Sequence, residues 1–421
     1  MKLSTLISLK KCLIFTIFVI QFVGYTPVAI SQTLSWTQKS NYGGGATYSP
    51  FAFVIGNKAY VGTGRALPAS IKDDFWEYDP QTDVWTQKAD FLGTARYGAK
   101  AFSIGNFGYA GTGWTPSATS TFYKYDPLTN VWTPIANFGG SARYTGTAFS
   151  LGNFGYMGLG YSPCKNDFWR YDPVLNSWAQ TASLPGGVRQ AASAFTINGL
   201  GYVGAGSCNS SIYQDFYKYD PSNNTWTSIA PFPGTARAAA FSFSLGTDGY
   251  LGMGFNYPTS SAPYTIFKDF WKYDSNINSW IQLPDFPGGK LYEGVSFSIG
   301  NKGYVGMGSD TALAAPNYVD MLWEYGLSTG INEIGNTSSN LKCYPNPVLS
   351  KLTVELNSDF IRNSPAQIQI FDMNGKLVKS SIIDNVTHSF ELDVYNLTSG
   401  NYSLCLIQNT VVLSKGKFIK Q

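Results

Sequence analysis

The chain has 421 residues, of which 44 are glycine, 16% are aromatic and only 13% are charged. This composition excludes a disordered chain, which would be rich in charge and poor in aromatic residues. The many glycines, which are costly inside helices, favour an all-β protein with short strands. Beyond residue 31 the 26 basic and 26 acidic residues cancel, which argues against a nucleic-acid partner. The single histidine, His388, excludes a histidine triad or a multi-histidine metal site.

The first 31 residues have the pattern of a signal peptide. Lys10 and Lys11 precede an apolar run over residues 12–23, which is too short for a membrane-spanning helix of about 20 residues. Ala29-Ile30-Ser31 is a small-x-small pattern that favours cleavage between Ser31 and Gln32. We therefore expect an exported mature chain without a transmembrane segment. The alternative is an uncleaved membrane anchor.

Repeats of about fifty residues fill the middle of the chain. Two phrases alternate, and both have the aromatic alternation and the glycine or asparagine turns of hairpins. The first phrase, as in Phe102 to Gly113, begins at Phe53, Phe102, Phe149, Phe195, Phe243 and Phe297. The second, as in Phe75-Trp76-Glu77-Tyr78-Asp79-Pro80, begins at Phe75, Phe122, Phe168, Phe216, Phe270 and Leu322. Each unit therefore predicts a four-stranded sheet that must stack on its neighbours to bury its aromatic faces.

The glycine-rich second strand, followed by tyrosine and tryptophan at this spacing, resembles the kelch repeat of β-propellers. The pair of adjacent glycines usual in that family is relaxed here to Gly-x-Gly. The resemblance implies a six-bladed propeller over residues 32–330. The sixth unit lacks its tryptophan, whereas Trp36 precedes the first unit, so Ser35-Trp36-Thr37 is predicted to be the last strand of the last blade. An open or a seven-bladed ring is the alternative.

A linker and a second domain follow the repeats. Residues 331–340 have the glycine, serine and asparagine content of a linker, and residues 341–421 contain enough short strand segments for a small, Ig-like β-sandwich. The sequence of this segment resembles the C-terminal sorting domain of the type IX secretion system. The resemblance rests on Tyr344-Pro345-Asn346-Pro347, Phe371 to Lys376, Leu397 to Tyr402 and Lys415 to Lys420. It implies the type IX machinery as partner and a secreted or outer-surface location. A plain carbohydrate-binding or spacer sandwich is the alternative.

Four cysteines lie beyond the predicted cleavage site and would reach an oxidising compartment. They allow three pairings. The positions of Cys164 and Cys208 in the same loop of neighbouring repeats favour the pairs Cys164–Cys208 and Cys343–Cys405.

Positions that recur in the repeats are the first candidates for scaffold, and departures from the pattern are the candidates for function. An aspartate precedes the third strand in five of the six units, at Asp74, Asp167, Asp215, Asp269 and Asp320. Its recurrence favours turn hydrogen bonding over a catalytic carboxylate pair, which would occur once at a set separation.

Arginine stands before the first strand in the four inner units, at Arg96, Arg143, Arg189 and Arg237. This position predicts four guanidinium groups near the channel mouth, where they could bind carboxylates, as in kelch propellers that recognise acidic motifs. The alternative is that each arginine bonds the backbone of neighbouring blades. The other candidate ligand contacts on this face are Lys290, Tyr97, Tyr144, Trp114 and Tyr292.

Glu293 is the single glutamate among the first strands and is the one candidate acid or base; pairing with Lys290 is the alternative. These features predict a binding module for an anionic glycan or acidic peptide, with no metal and no cofactor. The second hypothesis is an epimerase similar to the six-bladed kelch mutarotases that act on sialic acid, with Glu293 in its site. A copper-radical oxidase is excluded because residues 32–387 contain no histidine ligand.

Overall fold

The computed structural model describes residues 34–257, 264–311, 317–327, 341–355, 366–372, 377–383, 389–408 and 411–421. The predicted signal peptide with its Ser31–Gln32 cleavage site and the linker over residues 331–340 lie outside the described residues. The chain divides into two compact units, one over residues 33–336 and one that contains residues 337–421.

The first unit is a β-propeller of six four-stranded antiparallel sheets within the described residues. Blades 1 to 3 consist of β2 Phe51–Ile55, β3 Lys58–Arg65, β4 Ile71–Asp79 and β5 Val84–Gln87; β6 Lys100–Ile104, β7 Phe107–Gly111, β8 Phe122–Asp126 and β9 Val131–Ile135; and β10 Thr147–Leu151, β11 Phe154–Gly158, β12 Phe168–Asp172 and β13 Ser177–Thr181.

Blades 4 to 6 follow the same order of strands. They consist of β14 Ser193–Ile197, β15 Leu200–Gly204, β18 Phe216–Asp220 and β19 Thr225–Ile229; β20 Phe241–Leu245, β21 Asp248–Gly252, β24 Phe270–Asp274 and β25 Ser279–Leu283; and β26 Val295–Ile299, β27 Lys302–Ser309, β28 Tyr318–Leu327 and β1 Leu34–Lys39. Small hairpins in the second-to-third loops of blades 4 and 5 pair β16 Ser207–Cys208 with β17 Ser211–Ile212, and β22 Phe255–Asn256 with β23 Thr265–Ile266.

The ring closes as the tryptophan count predicts. β1 pairs antiparallel with β28, with Trp36 opposite Tyr325. The Trp36 ring lies 5.0 Å from Phe270 and 4.9 Å from Phe286, in the aromatic contact between blades 5 and 6. The predicted contribution of Ser35-Trp36-Thr37 to the last blade is therefore confirmed.

The glycine before the tyrosine of the second strand, present in blades 2 to 6, is explained by the preceding blade. The Phe102 ring of blade 2 packs on Gly155 of blade 3, where a Cβ would lie 2.0 Å from the ring. Phe53, Phe149, Phe195 and Phe243 meet the glycine of the next blade in the same way. At these five contacts a Cβ would collide with the ring, so the Gly-Tyr phrase is a packing requirement between blades; blade 1 has Ala59 instead, in the same buried cluster as Phe297 of blade 6.

A closed circle of backbone hydrogen bonds surrounds one mouth of the axial channel. The residue two positions before each first strand donates its amide to the carbonyl of the equivalent residue in the preceding blade, over 2.8–3.1 Å. The six members of this inner ring are Ser49, Gly98, Thr145, Ala191, Ala239 and Glu293. All six have φ between 50° and 65°, so the left-handed backbone is a demand of the ring and not a property of one residue.

The second unit is a sandwich of two sheets. One contains β29 Lys342–Tyr344, β30 Lys351–Glu355 and β33 Ser389–Asp393, and the other contains β31 Ala366–Phe371, β32 Leu377–Ile383, β34 Gly400–Gln408 and β35 Val411–Lys420. Its core includes Leu352, Ile370, Leu392, Leu404 and Phe418. The all-β architecture of propeller plus sandwich is thus the predicted one. The described residues contain no helix that is long and apolar enough to cross a membrane.

Candidate functional site

The four arginines of the inner blades lie in the interior of the propeller. Arg143, Arg189 and Arg237 are fully buried, and Arg96 is 2% exposed. Each of the first three donates two hydrogen bonds to the aspartate of its own blade. The distances are 2.5 and 2.9 Å to Asp167, 2.6 and 2.9 Å to Asp215, and 2.6 and 2.8 Å to Asp269.

The same arginines also connect successive blades. The guanidinium of Arg143 donates to the carbonyl of Leu159 in its own blade, while the Arg143 carbonyl accepts from Gly113 of the blade before it. Arg189 and Arg237 repeat both contacts with equivalent residues. The expectation that these arginines bind a ligand is therefore corrected, because their donors are used inside the blades. The alternative of backbone bonding within the ring describes them better.

Blade 2 departs from this pattern. Arg96 has Thr121 where blades 3, 4 and 5 have the aspartate that binds arginine, and it donates to the Thr121 hydroxyl and to the carbonyls of Thr112 and Thr94 over 2.9–3.0 Å. Burial lowers the pKa of Arg96, and no carboxylate is bonded to it among the described residues. Its guanidinium lies 4.9 Å from the Phe91 ring centre. Arg96 is thus a packed structural residue as well.

Glu293 is the charged member of the inner ring. Its carboxylate accepts a hydrogen bond of 2.9 Å from the Ser49 hydroxyl across the closure of the propeller. Glu293 is 9% exposed, so its carboxylate reaches the mouth only at its edge. No ion pair joins it to Lys290, which is exposed in the connection from blade 5 to blade 6. Glu293 therefore retains acceptor capacity towards the mouth.

Tyrosines surround this carboxylate on the side of blades 1 to 3. Tyr48, Tyr97 and Tyr144 each precede a residue of the inner ring and are half-buried, and we call them the tyrosine crescent. Burial raises the pKa of all three, and the negative charge of Glu293 adds to the effect, so the carboxylate lies within electrostatic reach of each ring. The Tyr97 and Tyr144 rings are 6.3 Å apart.

The remaining predicted aromatic residues divide into flanking and buried groups. Trp114 is half-buried and packs edge-on against Tyr144, with ring centres 5.2 Å apart. Tyr292 is fully buried and its hydroxyl donates to the Thr311 carbonyl. Burial raises the pKa of Tyr292 to about 12. Tyr292 thus supports the mouth from below, and the expectation that it contacts ligand is corrected.

Two adjacent cavities, which share lining residues such as Ala52 and Ser242, follow the propeller axis. The one below the inner ring has a volume of ≈ 150 Å³ and is lined by the first strands of all six blades. The second, of ≈ 250 Å³, continues towards the opposite face and is lined by the middle of the same strands. Lys100, the first residue of β6, lines the upper cavity. The sequence analysis missed it, although its register with neutral residues in the other blades was visible.

The C-terminal unit is identified by its sequence. Residues 342–421 match the family model described as a secretion system C-terminal sorting domain. The chain carries a sorting domain. It directs export by the type IX system to the cell surface or the medium, and so implies contact with that machinery. The predicted location is therefore confirmed.

Contacts within the sorting domain show why its Tyr-Pro-Asn-Pro segment and its last strand belong together. The Asn346 side chain accepts from the Ile419 amide at 2.8 Å, and the Val348 amide donates to the Ile419 carbonyl at 2.8 Å. Val348 is fully buried in the sandwich core. The two segments that the resemblance singles out are therefore joined by direct hydrogen bonds.

The comparisons for the propeller show its fold alone. The solved structure titled "Structure of YjhT" is similar with a TM-score of 0.57 and 15% identity, over 66% of this chain and 94% of that chain. In all, 365 chains of solved structures match, whereas no curated protein does. A fold shared so widely does not assign a function, which has to be argued from the site.

The cysteines follow the prediction in the propeller but not in the sorting domain. Cys164 and Cys208 form a disulfide between the second-to-third loops of blades 3 and 4. Cys343 is a free, half-buried thiol, so the predicted Cys343–Cys405 bond is not formed. Burial raises the pKa of Cys343 to about 11. Cys343 packs against the sandwich core, as do Leu404 and Leu406 of β34. Because side chains alternate along a strand, Cys405 between these two leucines points to the other side of its sheet and does not reach Cys343.

The described residues hold no cluster of three or more histidine, cysteine, aspartate or glutamate side chains that could bind a metal ion.

Proposed function

We propose that the exported propeller is a binding module that takes a glycan at the channel mouth. The observation that carries the proposal is the tyrosine crescent around Glu293, on the face where the variable loops emerge. A rigid ring that presents aromatic side chains among variable loops is a common arrangement for recognition.

The residues of the mouth suit a sugar better than an extended peptide. The faces of the Tyr97 and Tyr144 rings offer an apolar surface for the C–H face of a pyranose, and their hydroxyls can donate or accept. The Glu293 carboxylate, bonded once to Ser49, can accept from a sugar hydroxyl at the centre of the crescent. Recognition by the four arginines is not part of this proposal.

An epimerase similar to the sialic-acid mutarotases is the second candidate. Glu293 would supply the proton-transfer group, since it is the one carboxylate in the inner ring. The hydrogen bond from Ser49 and the position of Glu293 at the mouth are equally compatible with proton transfer and with a binding contact. Conversion of a bound sugar between anomers, followed by NMR and abolished in Glu293→Gln, would separate catalysis from binding.

The test is a glycan array followed by calorimetry on the full chain and on a Tyr97→Ala/Tyr144→Ala variant. Each lost aromatic contact is worth about 0.5–1.5 kcal/mol, so the double substitution should lower the affinity by about fivefold to 150-fold. Tyr395→Ala is the matched control, because Tyr395 is a 71% exposed tyrosine of the sorting domain. No glycan binding, or equal affinity of the double variant and the parent, would contradict the proposal.

A further inference from the structure

Lys100 is a charged side chain at a position that is neutral in every other blade. It is the first residue of the first strand, where the other blades have Phe51, Thr147, Ser193, Phe241 and Val295. It lines the cavity of ≈ 150 Å³ directly below the inner ring. The channel wall therefore carries one ammonium group where the repeat pattern calls for none.

No hydrogen bond or ion pair satisfies this ammonium among the residues that the structure describes. Burial lowers the pKa of Lys100, and Glu293 is the one charged group that opposes the effect. The buried arginines behave differently, since Arg143, Arg189 and Arg237 each bind a carboxylate of their own blade. A half-buried cation without a partner is an exception to the rule that such groups are paired.

The other polar groups of the cavity wall are already engaged. The hydroxyls of Thr147 and Ser193 donate to carbonyls of the next blade, Ala192 and Ala240. Those of Ser242 and Ser296 do the same towards the preceding blade. Lys100 is thus the donor that remains open to a molecule in the cavity.

We propose that Lys100 is the site for a carboxylate in the channel, so that the ligand is a sugar acid whose single carboxylate enters the cavity while its ring lies on the tyrosine crescent. The inference rests on the proposed function for the position of the ring. The proposed ligand is anionic, as the sequence predicts, but Lys100 and not the arginines recognises its charge.

The size and charge of the channel narrow the class of ligand further. A water occupies about 30 Å³ in the liquid, so the upper cavity holds a carboxylate with a few waters and not a chain of sugars. The negative charge of Glu293 at the mouth disfavours a second carboxylate there. Monocarboxylates such as hexuronates therefore fit, and polyanions do not.

The experiment observes Lys100 directly in the full chain. With lysine labelled at the side-chain carbon Cε, the Lys100 resonance is assigned from a Lys100→Met variant. D-glucuronate and D-galacturonate are then titrated against D-glucose and D-galactose, which have the same rings without the carboxylate. We expect saturable movement of the Lys100 resonance with the uronates only, with the resonance of Lys218, a lysine of the third strand β18 of blade 4, as an unmoved control.

Affinity gives a second readout. Calorimetry should show at least a tenfold preference for the uronate over its neutral parent, and Lys100→Met should abolish this preference, while Lys218→Met should preserve it. Binding of neutral sugars that depends on the crescent, with no uronate preference and an unmoved Lys100 resonance, would overturn this inference and leave the proposed function intact. An unmoved Lys100 resonance with acetate as well as with both uronates would also overturn it, whether or not any glycan binds.

Discussion

Replacing Arg143 by alanine tests whether the arginines belong to the scaffold. Arg143 is fully buried, and its guanidinium donates to Asp167 at 2.5 and 2.9 Å and to the Leu159 carbonyl at 3.0 Å. The substitution leaves the Asp167 carboxylate, which is 21% exposed, without its cation. Removing one partner of a buried ion pair costs about 3–5 kcal/mol, and the partial exposure of Asp167 places the expected loss near the lower end, at about 3 kcal/mol.

Tryptophan fluorescence during denaturant unfolding isolates the propeller. All 11 tryptophans lie between Trp36 and Trp323, so the sorting domain contributes no tryptophan signal. Arg170→Ala in the same blade is the control, because Arg170 is half-buried against the Phe154 ring and makes no ion pair with any residue that the structure describes. The free energy of unfolding of Arg170→Ala should be lower than that of the parent by less than about 1 kcal/mol.

The pH dependence of this difference provides an internal check. Burial alone would raise the pKa of Asp167, but hydrogen bonds from Arg143 and Trp169 hold it below its usual value. A carboxylate with a lowered folded-state pKa stabilises fully above the unfolded pKa of about 3.9 and loses this contribution as the pH falls through the folded value. The parent should therefore exceed Arg143→Ala in stability at about pH 6 and lose this advantage below about pH 3.9. The structural role of Arg143 would be refuted if Arg143→Ala lost no more unfolding free energy than Arg170→Ala. It would also be refuted if Arg143→Ala lost glycan binding while its stability stayed unchanged.

Three further predictions concern the channel, the blade contacts and the sorting domain. Lys100→Met should raise the free energy of unfolding by about 1 kcal/mol, because it removes an unpaired cation. Burial lowers the pKa of Lys100 in the folded chain. The parent should therefore gain stability as the pH rises towards the unfolded-state pKa of about 10.4, whereas the variant should not. Gly155→Ala should cost about 1–3 kcal/mol of unfolding free energy, because its Cβ would lie 2.0 Å from the Phe102 ring; a denaturation curve that overlays that of the parent would count against this contact. Cys343, with its pKa near 11, should resist alkylation by iodoacetamide at about pH 8 in the folded chain and react on unfolding; rapid labelling of the folded chain would count against its burial.

The fold could be predicted because its packing contacts recur in the sequence. The Phe102 ring packs on Gly155, and four of the other five blade contacts repeat this relation, so a local requirement appears as a period of about fifty residues. The unpaired tryptophan at Trp36 even indicated how the ring closes. These packing contacts determine where each strand lies in the sequence, and they do so independently of any functional residue.

The roles of the arginines could not be predicted from position alone. A residue before the first strand can direct its side chain into the blade or towards the mouth, and the spacing is the same in both cases. The signal that decides between them was present, since Arg143, Arg189 and Arg237 each have an aspartate in their own repeat. Treating the aspartates and the arginines as separate sets concealed this pairing.

Lys100 was missed for a related reason. Aligned repeats reveal residues that recur, but the positions equivalent to Lys100 hold phenylalanine, threonine, serine and valine, which share no motif. Its lack of a partner depends on the long-range arrangement of six strands around one axis.

The most direct test of the whole account is a crystal structure of the full chain with the tightest-binding glycan. We predict a sugar ring on Tyr97 and Tyr144, with one of its hydroxyls bonded to Glu293 and any carboxylate directed down the channel to Lys100. A sugar bound on the opposite face or on the outer strands, with the crescent empty, would contradict it.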